Sequence, residues 1–395
     1  DIGGPSMLRA AAKNFEDVAV LIDPADYDAV IAELESSQGA LSRETRYRLA
    51  CKAFAVTARY DSLIAGHLEG LRVGAGGLPE VVAPLFVKQQ ELRYGENPHQ
   101  QAALYRTAAP APHSIVGARQ LHGKELSFNN LMDVHAAVEI VREFDGTAVV
   151  FIKHTNPCGV ARAASLVDAY RNAQQVDPLS AFGGVVSANA AIDEATAKEI
   201  NTTFIEAVIA PAFEPAAMET LTSKKNIRLL ELGALAPGAE IDSGYLDIKL
   251  ISGGALIQTC DAALVGDEGL RTVSEREPTE SEHQALLFAW KIAKHVKSNA
   301  IVYAVADHAV GIGAGQMSRV DSAKIAAMKA QYPTKGSVMA SDAFFPFRDG
   351  IDAAAEVGVT AVIQPGGSMR DEEGIAAANE HGMAMVFTGM RHFKH

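Results

Sequence analysis

A lysine and a histidine stand side by side at the end of an apolar segment. Residues 147–153 read TAVVFIK, and His154 follows Lys153 directly. This β-branched run predicts a buried strand, and strand ends in α/β sheets often carry ligand sites. An imidazole can accept a proton while an ammonium stabilises developing negative charge. The alternative is an ordinary surface histidine beside a lysine. Because side chains alternate along a strand, both reach one pocket only if the chain bends, and we expect Pro157 to end the strand.

The segment 92–100 reads LRYGENPHQ and mixes charged, aromatic and turn-forming residues. A turn accounts for Gly95 and for Asn97-Pro98, but it does not require Arg93 and Tyr94. A guanidinium matches the geometry of phosphate, and a tyrosine ring can stack on a heterocycle. The segment therefore predicts either a nucleotide subsite or an ordinary turn.

Two further loops contain aromatic residues beside turn residues. In the loop 177–184, DPLSAFGG, the glycines allow close backbone approach and Phe182 could cover a flat ring, although a plain strand entry explains it equally well. The loop 341–349, SDAFFPFRD, ends in a charged pair that a core strand does not need. It predicts either a strand end or a cleft lined by Phe344, in which Asp349 reaches a polar heterocycle edge.

Two motifs of known chemistry are incomplete in this chain. Pro157-Cys158 starts like the PCxxC of zinc deaminases, but position 161 is Ala where a second Cys is required. We therefore expect no zinc. The segment 311–319, GIGAGQMSR, fails the dinucleotide pattern because Gln316 stands where the third glycine should be. We expect its glycines to serve tight strand packing and Arg319 to be available for an anion.

The elements that must position these residues alternate in type along the chain, which predicts an α/β fold. Similar polar turns and Phe loops in 153–184 and 297–349 hint at two related subdomains. We expect a domain boundary near Pro84. The expected helices cover 5–14, 26–36, a segment from a Ser42 cap to about Glu69, 166–175, 194–202 and 280–296. The expected strands cover 17–23, 147–153, 184–188, 207–210, 300–306 and 310–314, with a linker at 266–279 and further alternation through 337–344, 351–357, 361–364 and 383–387.

Composition limits the classes of protein. The 395 residues are 48% apolar and carry a net charge of −13, so a large core is expected and nucleic acid is disfavoured as a partner. The three cysteines are far apart, which fits a reducing cytoplasm. No apolar run approaches the roughly 18–20 residues of a membrane span. The chain begins without Met at Asp1, and we expect that its front portion is missing.

Seven motifs together, in order along nearly the whole chain, resemble one family. This is the bifunctional family of aminoimidazole carboxamide ribonucleotide (AICAR) formyltransferase and inosine monophosphate (IMP) cyclohydrolase. The motifs are LRYGENPHQ, the KH pair before NPCG, SAFGG, KSNAIVYA, GIGAGQMSR, SDAFFPFRD and the terminal RHFKH, which is either frayed or pinned. The resemblance implies transfer of the formyl group of 10-formyltetrahydrofolate to the 5-amino group of AICAR, giving formyl-AICAR and tetrahydrofolate in purine synthesis.

The resemblance also implies roles for single residues. His154 would be the general base, and Lys153 would assist charge on the formyl oxygen or on the leaving nitrogen. In the cyclohydrolase remnant, Asp1 matches a substrate-binding position and Lys13 a catalytic one. The positions that match nucleotide-binding residues are Arg93, Tyr94, Phe182, Gly183, Asn299, Arg319, Phe344 and Arg391. The positions that match folate-side residues are Val320, Asp349, Ser368 and Met369.

The implied fold is a duplicated, cytidine-deaminase-like formyltransferase domain without zinc, preceded by a remnant of an α/β methylglyoxal-synthase-like domain. The expected divisions are a remnant of the cyclohydrolase domain at 1–85, formyltransferase subdomain 1 at 86–265 and subdomain 2 at 266–395. The family forms homodimers with composite active sites. Some members bind a monovalent cation such as K⁺ near the Ser-Asn and Ser-Asp motifs; Ser298 and Asp342 match, whereas Ala300 replaces a Ser of some relatives.

Two rival classes remain open from the sequence. One is a nucleotide deaminase-like hydrolase, which would need zinc. The other is a catalytically dead regulator that binds AICAR without turnover. Cyclisation of formyl-AICAR to IMP is expected only from a full-length protein.

Overall fold

The computed structural model describes the chain except for residues 1, 75–76, 109, 112, 236–245, 265 and 267–268. Asp1 therefore lies outside the described residues. The chain divides into two compact units. The first unit comprises residues 1–87 with 248–259, and the second comprises 88–247 with 260–395.

Helices and strands alternate as the sequence predicts. The helices are α1 (Gly3–Lys13), α2 (Tyr27–Ser36), α3 (Arg43–Val73), α4 (Phe128–Val141), α5 (Leu166–Val176), α6 (Pro178–Ala181), α7 (Glu194–Ile200), α8 (Pro215–Thr222), α9 (Glu280–Ala293), α10 (Arg319–Lys329), α11 (Asp349–Glu356) and α12 (Asp371–Glu380). The strands are β1 (Phe86–Leu92), β2 (Ala102–Thr107), β3 (Arg119–His122), β4 (Ala148–Lys153), β5 (Asn156–Arg162), β6 (Val185–Ala188), β7 (Ala207–Ala210), β8 (Arg228–Glu231), β9 (Leu246–Ile251), β10 (Gly254–Thr259), β11 (Arg271–Thr272), β12 (Ile301–Ala304), β13 (Ala309–Gly313), β14 (Val338–Ser341), β15 (Ala361–Gln364) and β16 (Ala384–Phe387).

The first unit is largely helical. Ser42 caps α3 as predicted, because its hydroxyl accepts the backbone N–H of Thr45 at 3.2 Å. The strand predicted over 17–23 is wrong, since residues 18–23 are irregular. Val20 and Ile22 instead pack on a small alanine cluster of α1 and α3. A β-branched run becomes a strand only where another strand supplies hydrogen bonds, and within the described residues no strand pairs with this one.

The second unit contains two six-stranded mixed sheets with the same topology. Their strand orders are β3-β8-β7-β6-β4-β5 and β11-β16-β15-β14-β12-β13. In each sheet an antiparallel hairpin forms one edge, and the next three strands form two parallel pairs. The sixth strand, at the opposite edge, pairs antiparallel. This correspondence confirms an α/β fold consistent with a duplicated domain. We call the two sheets with their helices the first and second repeats.

The motif parallel that suggested duplication does not coincide with this topology. The polar turn KHTN follows β4, whereas KSN precedes β12, the equivalent strand. The predicted linker also contains a strand, because β11 pairs with β16 at the edge of the second sheet. The likeness between the two repeats therefore lies in strand order and not in the positions of the polar motifs.

One continuous core joins the two repeats. Its largest hydrophobic cluster takes buried residues from both, including Val150 and Ile152 of β4 and Trp290 and Val302 of the second repeat. Each edge hairpin is covered closely by a helix. A Cβ on Gly159 of β5 would lie 1.9 Å from the carbonyl oxygen of Ala173 in α5, and a Cβ on Gly313 of β13 would meet α10 equally closely. The interpretation of the GIGAG glycines as strand-packing residues is thus confirmed for Gly311 and Gly313 but not for Gly315, where a Cβ would meet nothing within 4 Å.

Candidate active site

The Lys153-His154 pair lies at the tip of the β4–β5 hairpin. Lys153 pairs with Asn156, so the turn consists of His154 and Thr155, whose φ angles are +53° and +63°. Two left-handed residues define a type I′ turn. The chain therefore bends directly after Lys153, which is the condition under which both side chains can reach one pocket. The role given to Pro157 is wrong, because Pro157 lies inside β5 opposite Ile152. An edge strand tolerates proline, since its outer N–H groups have no ladder partner.

A carboxylate beneath the turn holds this unusual backbone. Asp133 Oδ1 accepts the backbone N–H of Thr155 at 2.7 Å. Burial raises the pKa of Asp133, and the amides of Thr155 and His154 only partly offset that effect. The side-chain amide of Asn156 donates to the His154 carbonyl at 3.3 Å. A non-glycine residue in the left-handed region costs roughly 1–2 kcal/mol, so these contacts fix a strained turn that presents an exposed imidazole.

The Lys153 ammonium is aimed by a second loop. It donates to the carbonyl oxygens of Phe182 at 2.9 Å and Gly183 at 3.0 Å. Gly183 has φ +67°, which favours glycine there. The Phe182 ring is 58% exposed and lies 5.5 Å from the ring of Phe204. The structure therefore brings Lys153, Phe182 and Gly183 together, and two of the three ammonium donors are used by these carbonyls.

Lys153 and His154 face a cavity between the two repeats. Its volume of about 440 Å³ is within the usual range for small-molecule sites. The first repeat contributes the hairpin and the end of α5; the second contributes β13, the loop after it and α10. Besides the pair, the lining consists of Asn156, Pro157, Cys158, Val176, Asp177, Ser180, Gly311, Ile312, Ala314, Gln316, Ile325, Met328 and Lys329.

A buried polar network adjoins this cavity through Gln316. Arg319 is 8% exposed, and its guanidinium donates to the Asp342 carboxylate, to Ser341 Oγ at 2.7 Å and to Asn299 Oδ1 at 2.8 Å. Asn299 in turn donates to the Gln316 carbonyl at 2.8 Å. The expectation of an available Arg319 therefore needs correction, because its charge is paired with a fully buried carboxylate.

The two residues matched to a cation site also belong to this network. The Ser298 hydroxyl donates to Asp342, and the backbone N–H of Ala300 donates to Asp342 Oδ1 at 3.2 Å. The C-terminal segment RHFKH is hydrogen-bonded to this network, so of the two alternatives, a frayed tail or a fixed one, the structure shows the fixed one. Its Lys394 carbonyl accepts the N–H of Ser298 at 2.9 Å, and the His392 N–H donates to the Asp342 carbonyl at 3.0 Å.

Other predicted nucleotide residues lie outside the lining of the cavity in the described residues. Arg93 is exposed and lies over the Tyr94 ring, 5.7 Å from its centroid. Arg391 is also exposed and lies 4.4 Å from the centroid of Phe393. Phe344 is half-buried just after β14. These side chains are at least partly exposed, but within the described residues they do not line the cavity beside His154.

The predicted folate-side residues are likewise separate from the cavity lining. Val320 is half-buried in the first turn of α10. Asp349 is exposed at the start of α11 and accepts the N–H of Gly350. Ser368 accepts the N–H of Arg370, and Met369 is fully exposed. In the first unit, Lys13 is exposed at the end of α1.

Sequence reasoning missed two carboxylates of this region and gave Asp342 only as a match to a cation site. Asp177 lies in a segment that was singled out for its aromatic residue. Asp133 lies on α4, far from any motif, and no local signal identifies it. Within the described residues, no group of three or more His, Cys, Asp or Glu side chains is arranged to hold a metal ion. In the same residues, no helix is both long and apolar enough to cross a membrane.

The fold and this site define a class: an α/β enzyme of two similar repeats, with a histidine and an aimed ammonium at the cavity between them. Comparison with known proteins places the chain within that class. Residues 11–329 match the model of the AICARFT/IMPCHase bienzyme family. The bifunctional purine biosynthesis protein PurH of Acetivibrio thermocellus is 50% identical over 395 residues, covering 100% of this chain and 76% of the relative. The chain belongs to the AICARFT/IMPCHase bienzyme family.

Proposed function

We propose that the protein transfers the formyl group of 10-formyltetrahydrofolate to the 5-amino group of AICAR, a step of purine biosynthesis. Membership of the family and the likeness to PurH support this function. The observation that carries it is the β4–β5 turn, which presents His154 beside an ammonium held by two carbonyls at a cavity of about 440 Å³. Cyclisation of formyl-AICAR to IMP is the second activity of this bifunctional family.

The chemistry explains why a base and a cation are needed. The amine of AICAR is a weak nucleophile, because its lone pair is drawn into the ring and the carboxamide. As its nitrogen bonds to the formyl carbon, His154 takes the proton that this nitrogen must lose. Lys153 donates a hydrogen bond to the oxygen on which negative charge develops. The bond from the formyl carbon to the folate nitrogen then breaks, and that nitrogen receives a proton to give tetrahydrofolate.

Binding of the two substrates extends beyond the cavity. We propose that Arg93, Tyr94, Phe182, Gly183, Asn299, Phe344 and Arg391 bind the nucleotide. Arg319, whose charge is paired with Asp342, would act in nucleotide binding by holding Asn299 through its 2.8 Å hydrogen bond. Val320, Asp349, Ser368 and Met369 would contact the folate. Arg93, Arg391 and Met369 are exposed, which supports a site completed by a second copy of the chain in a homodimer. The cytidine-deaminase-like fold of the repeats, a monovalent cation near Ser298 and Asp342, the absence of zinc and a cytoplasmic location belong to the same proposal.

The division into domains is part of this proposal. Residues 1–85, with Lys13 and Asp1, would be a remnant of the methylglyoxal-synthase-like cyclohydrolase domain. Residues 86–265 and 266–395 would be the two formyltransferase subdomains. The strand order of the two six-stranded sheets supports the second boundary, because each range contains one complete six-stranded sheet.

A turnover assay tests the function directly. The protein is mixed with AICAR and 10-formyltetrahydrofolate, and tetrahydrofolate and formyl-AICAR are measured; equal amounts of both are expected. Release of ammonia from a nucleotide with stoichiometric bound zinc would instead indicate the deaminase-like rival, which family membership does not favour. Binding of AICAR by folded protein without any turnover would indicate a regulator and would overturn the proposal.

A further inference from the structure

A salt bridge joins the two repeats across the cavity. The Lys329 ammonium, at the end of α10, lies 3.0 Å from Asp177 Oδ2 and 3.3 Å from Ser180 Oγ. All three residues line the same cavity as Lys153 and His154. The side chain of Asp177 is 13% exposed and that of Lys329 is 44% exposed. The pair therefore sits at the wall of the proposed active site, outside the residues assigned there.

Asp177 also organises the loop on its own side. Its carboxylate caps α6, accepting the backbone N–H of Ser180 at 3.0 Å and the Ser180 hydroxyl at 2.6 Å. Burial alone would raise the pKa of Asp177, but the two Ser180 contacts and the Lys329 ammonium hold it below its ordinary value. Asp177 is therefore a fixed anion between a helix start and a cation from the other repeat.

The same loop also holds the Lys153 side chain. Helix α6 has only four residues, and the next two, Phe182 and Gly183, carry the carbonyls that hold the Lys153 ammonium. The Gly183 N–H donates to the Phe204 carbonyl at 2.7 Å, which fixes the far end of the loop. Only the single turn of α6 separates Asp177 from the two carbonyl groups that accept hydrogen bonds from Lys153. A movement of Asp177 should therefore move those carbonyl groups as well.

We propose that Lys329 is a positioning residue for formyl transfer: by holding Asp177 and Ser180, it sets the loop that aims Lys153. The inference rests on the proposed function of Lys153 and deepens it. Losing Lys329 should leave the fold intact, because the side chain is half exposed. It should misplace the Lys153 ammonium relative to the formyl oxygen, and small misplacements of a catalytic group lower kcat strongly.

A double-mutant cycle separates positioning from other roles. Lys329→Met in the parent should lower kcat by about 5- to 100-fold with the KM for AICAR and for the folate within about threefold. In the Lys153→Ala background, the same change should lower kcat by less than about twofold, because the group it positions is gone. Lys198→Met is the matched control. It removes the exposed 2.6 Å pair with Glu194 on α7 and should leave kcat within about twofold.

Each possible result of this cycle either supports or overturns the proposed role of Lys329. A parental kcat in Lys329→Met, or an equal loss in both backgrounds, overturns positioning through Lys153. A raised KM at unchanged kcat would show instead that Lys329 contacts a substrate, and this also overturns it. If the unaltered protein forms no formyl-AICAR at all, it is the proposed function that fails and not this inference.

Discussion

At the scale of single residues, His154 combines exposure with a fixed backbone. Its φ of +53° is uncommon for a residue other than glycine, and strain of this kind persists only where the surroundings over-determine it. Asp133 supplies that restraint from α4 through the neighbouring Thr155 amide. The imidazole is thus presented to the cavity by a backbone that cannot relax without breaking a partly buried hydrogen bond.

Replacing His154 by Ala should abolish most formyl transfer while leaving AICAR binding in place. A positioned base contributes about 10²–10⁴-fold, and the upper part of this range is expected because the amine cannot lose its proton unaided. AICAR affinity should stay within about tenfold, or about 1.4 kcal/mol, since Arg93 and Arg391 are proposed to hold the phosphate. Steady-state rates and calorimetric titration measure the two quantities.

The exposed His67 of α3 provides the control for that change. His67→Ala should keep formyl transfer within about twofold, as expected of a surface substitution away from the site. Retention of more than about a tenth of the parental rate in His154→Ala would contradict the assignment of the base.

At the scale of elements, the position of each edge hairpin depends on how closely a helix can approach it. Gly313 of β13 and Gly159 of β5 allow α10 and α5 to touch the strand backbone. Both strands contribute residues to the cavity lining, such as Pro157 of β5 and Ile312 of β13, and α10 contributes Lys329. The close approach of each helix therefore helps to position strand residues that line the cavity.

Replacing Gly313 by Ala should destabilise the protein and widen the hairpin–helix contact. The new Cβ would lie 1.9 Å from the Ser322 carbonyl oxygen, so backbone must move. Overpacking of this kind typically costs about 1–3 kcal/mol in the free energy of unfolding, which denaturant titration measures.

The matched substitution is Gly374→Ala in α12, where a Cβ would meet nothing within 4 Å. There the gain in helix propensity should stabilise by about 0.5–1 kcal/mol. If both variants changed stability in the same direction, close approach at Gly313 would not be the cause.

At the scale of the whole molecule, a buried ionic cluster ties the two repeats together. Glu143, just after α4, accepts hydrogen bonds from the Lys294 ammonium at 2.9 Å and from His295 Nε2 at 2.8 Å, both at the end of α9. Burial would raise the pKa of Glu143, but His295 and Lys294 together lower it to about 2. Burial also lowers the pKa of His295, so Lys294 is the positive partner and the neutral imidazole donates its hydrogen bond.

Stability should therefore fall in acid. A carboxyl group whose pKa is lower in the folded state contributes stability above its ordinary value, 4.5, and loses it as the pH falls toward about 2. His295, whose pKa is also lowered, loses its contribution as the pH falls below 6.5. The free energy of unfolding, measured by denaturant titration from pH 7 downward, should decrease through both ranges.

Glu143→Gln isolates the part that belongs to the carboxylate. It leaves a buried ammonium without its anion, so the free energy of unfolding at pH 7 should fall by about 3–5 kcal/mol. The dependence on pH below 4.5 should weaken. Glu91→Gln, which breaks an exposed pair with Lys88, should change stability by no more than about 1 kcal/mol. An unchanged acid profile in Glu143→Gln would contradict this account.

The sequence by itself determined the local elements and the chemistry they could carry. The run 207–210 is a strand with the predicted bounds, because buried β-branched residues between breakers leave few alternatives. The sequence likewise predicted the Ser42 cap and singled out the Lys153-His154 pair, because each depends on residues close together in the chain. It also identified the family, because each of the seven motifs is a short run of adjacent residues. The run 17–23 failed for the complementary reason: a strand exists only with a partner, which local composition does not specify.

Only the tertiary structure decided which side chains contact one another across the fold. The support of the His154 turn by Asp133 joins residues 22 positions apart, and the bridge from Lys329 to Asp177 joins residues 152 positions apart. The shared strand order of the repeats likewise depends on pairing between strands that are distant in the chain. Pro157 was misread because its place in β5 follows from pairing and not from proline itself. Arg319 was expected to be available for an anion, but Asp342 pairs with it. Burial and charge pairing depend on the whole packed chain, which short-range patterns do not encode.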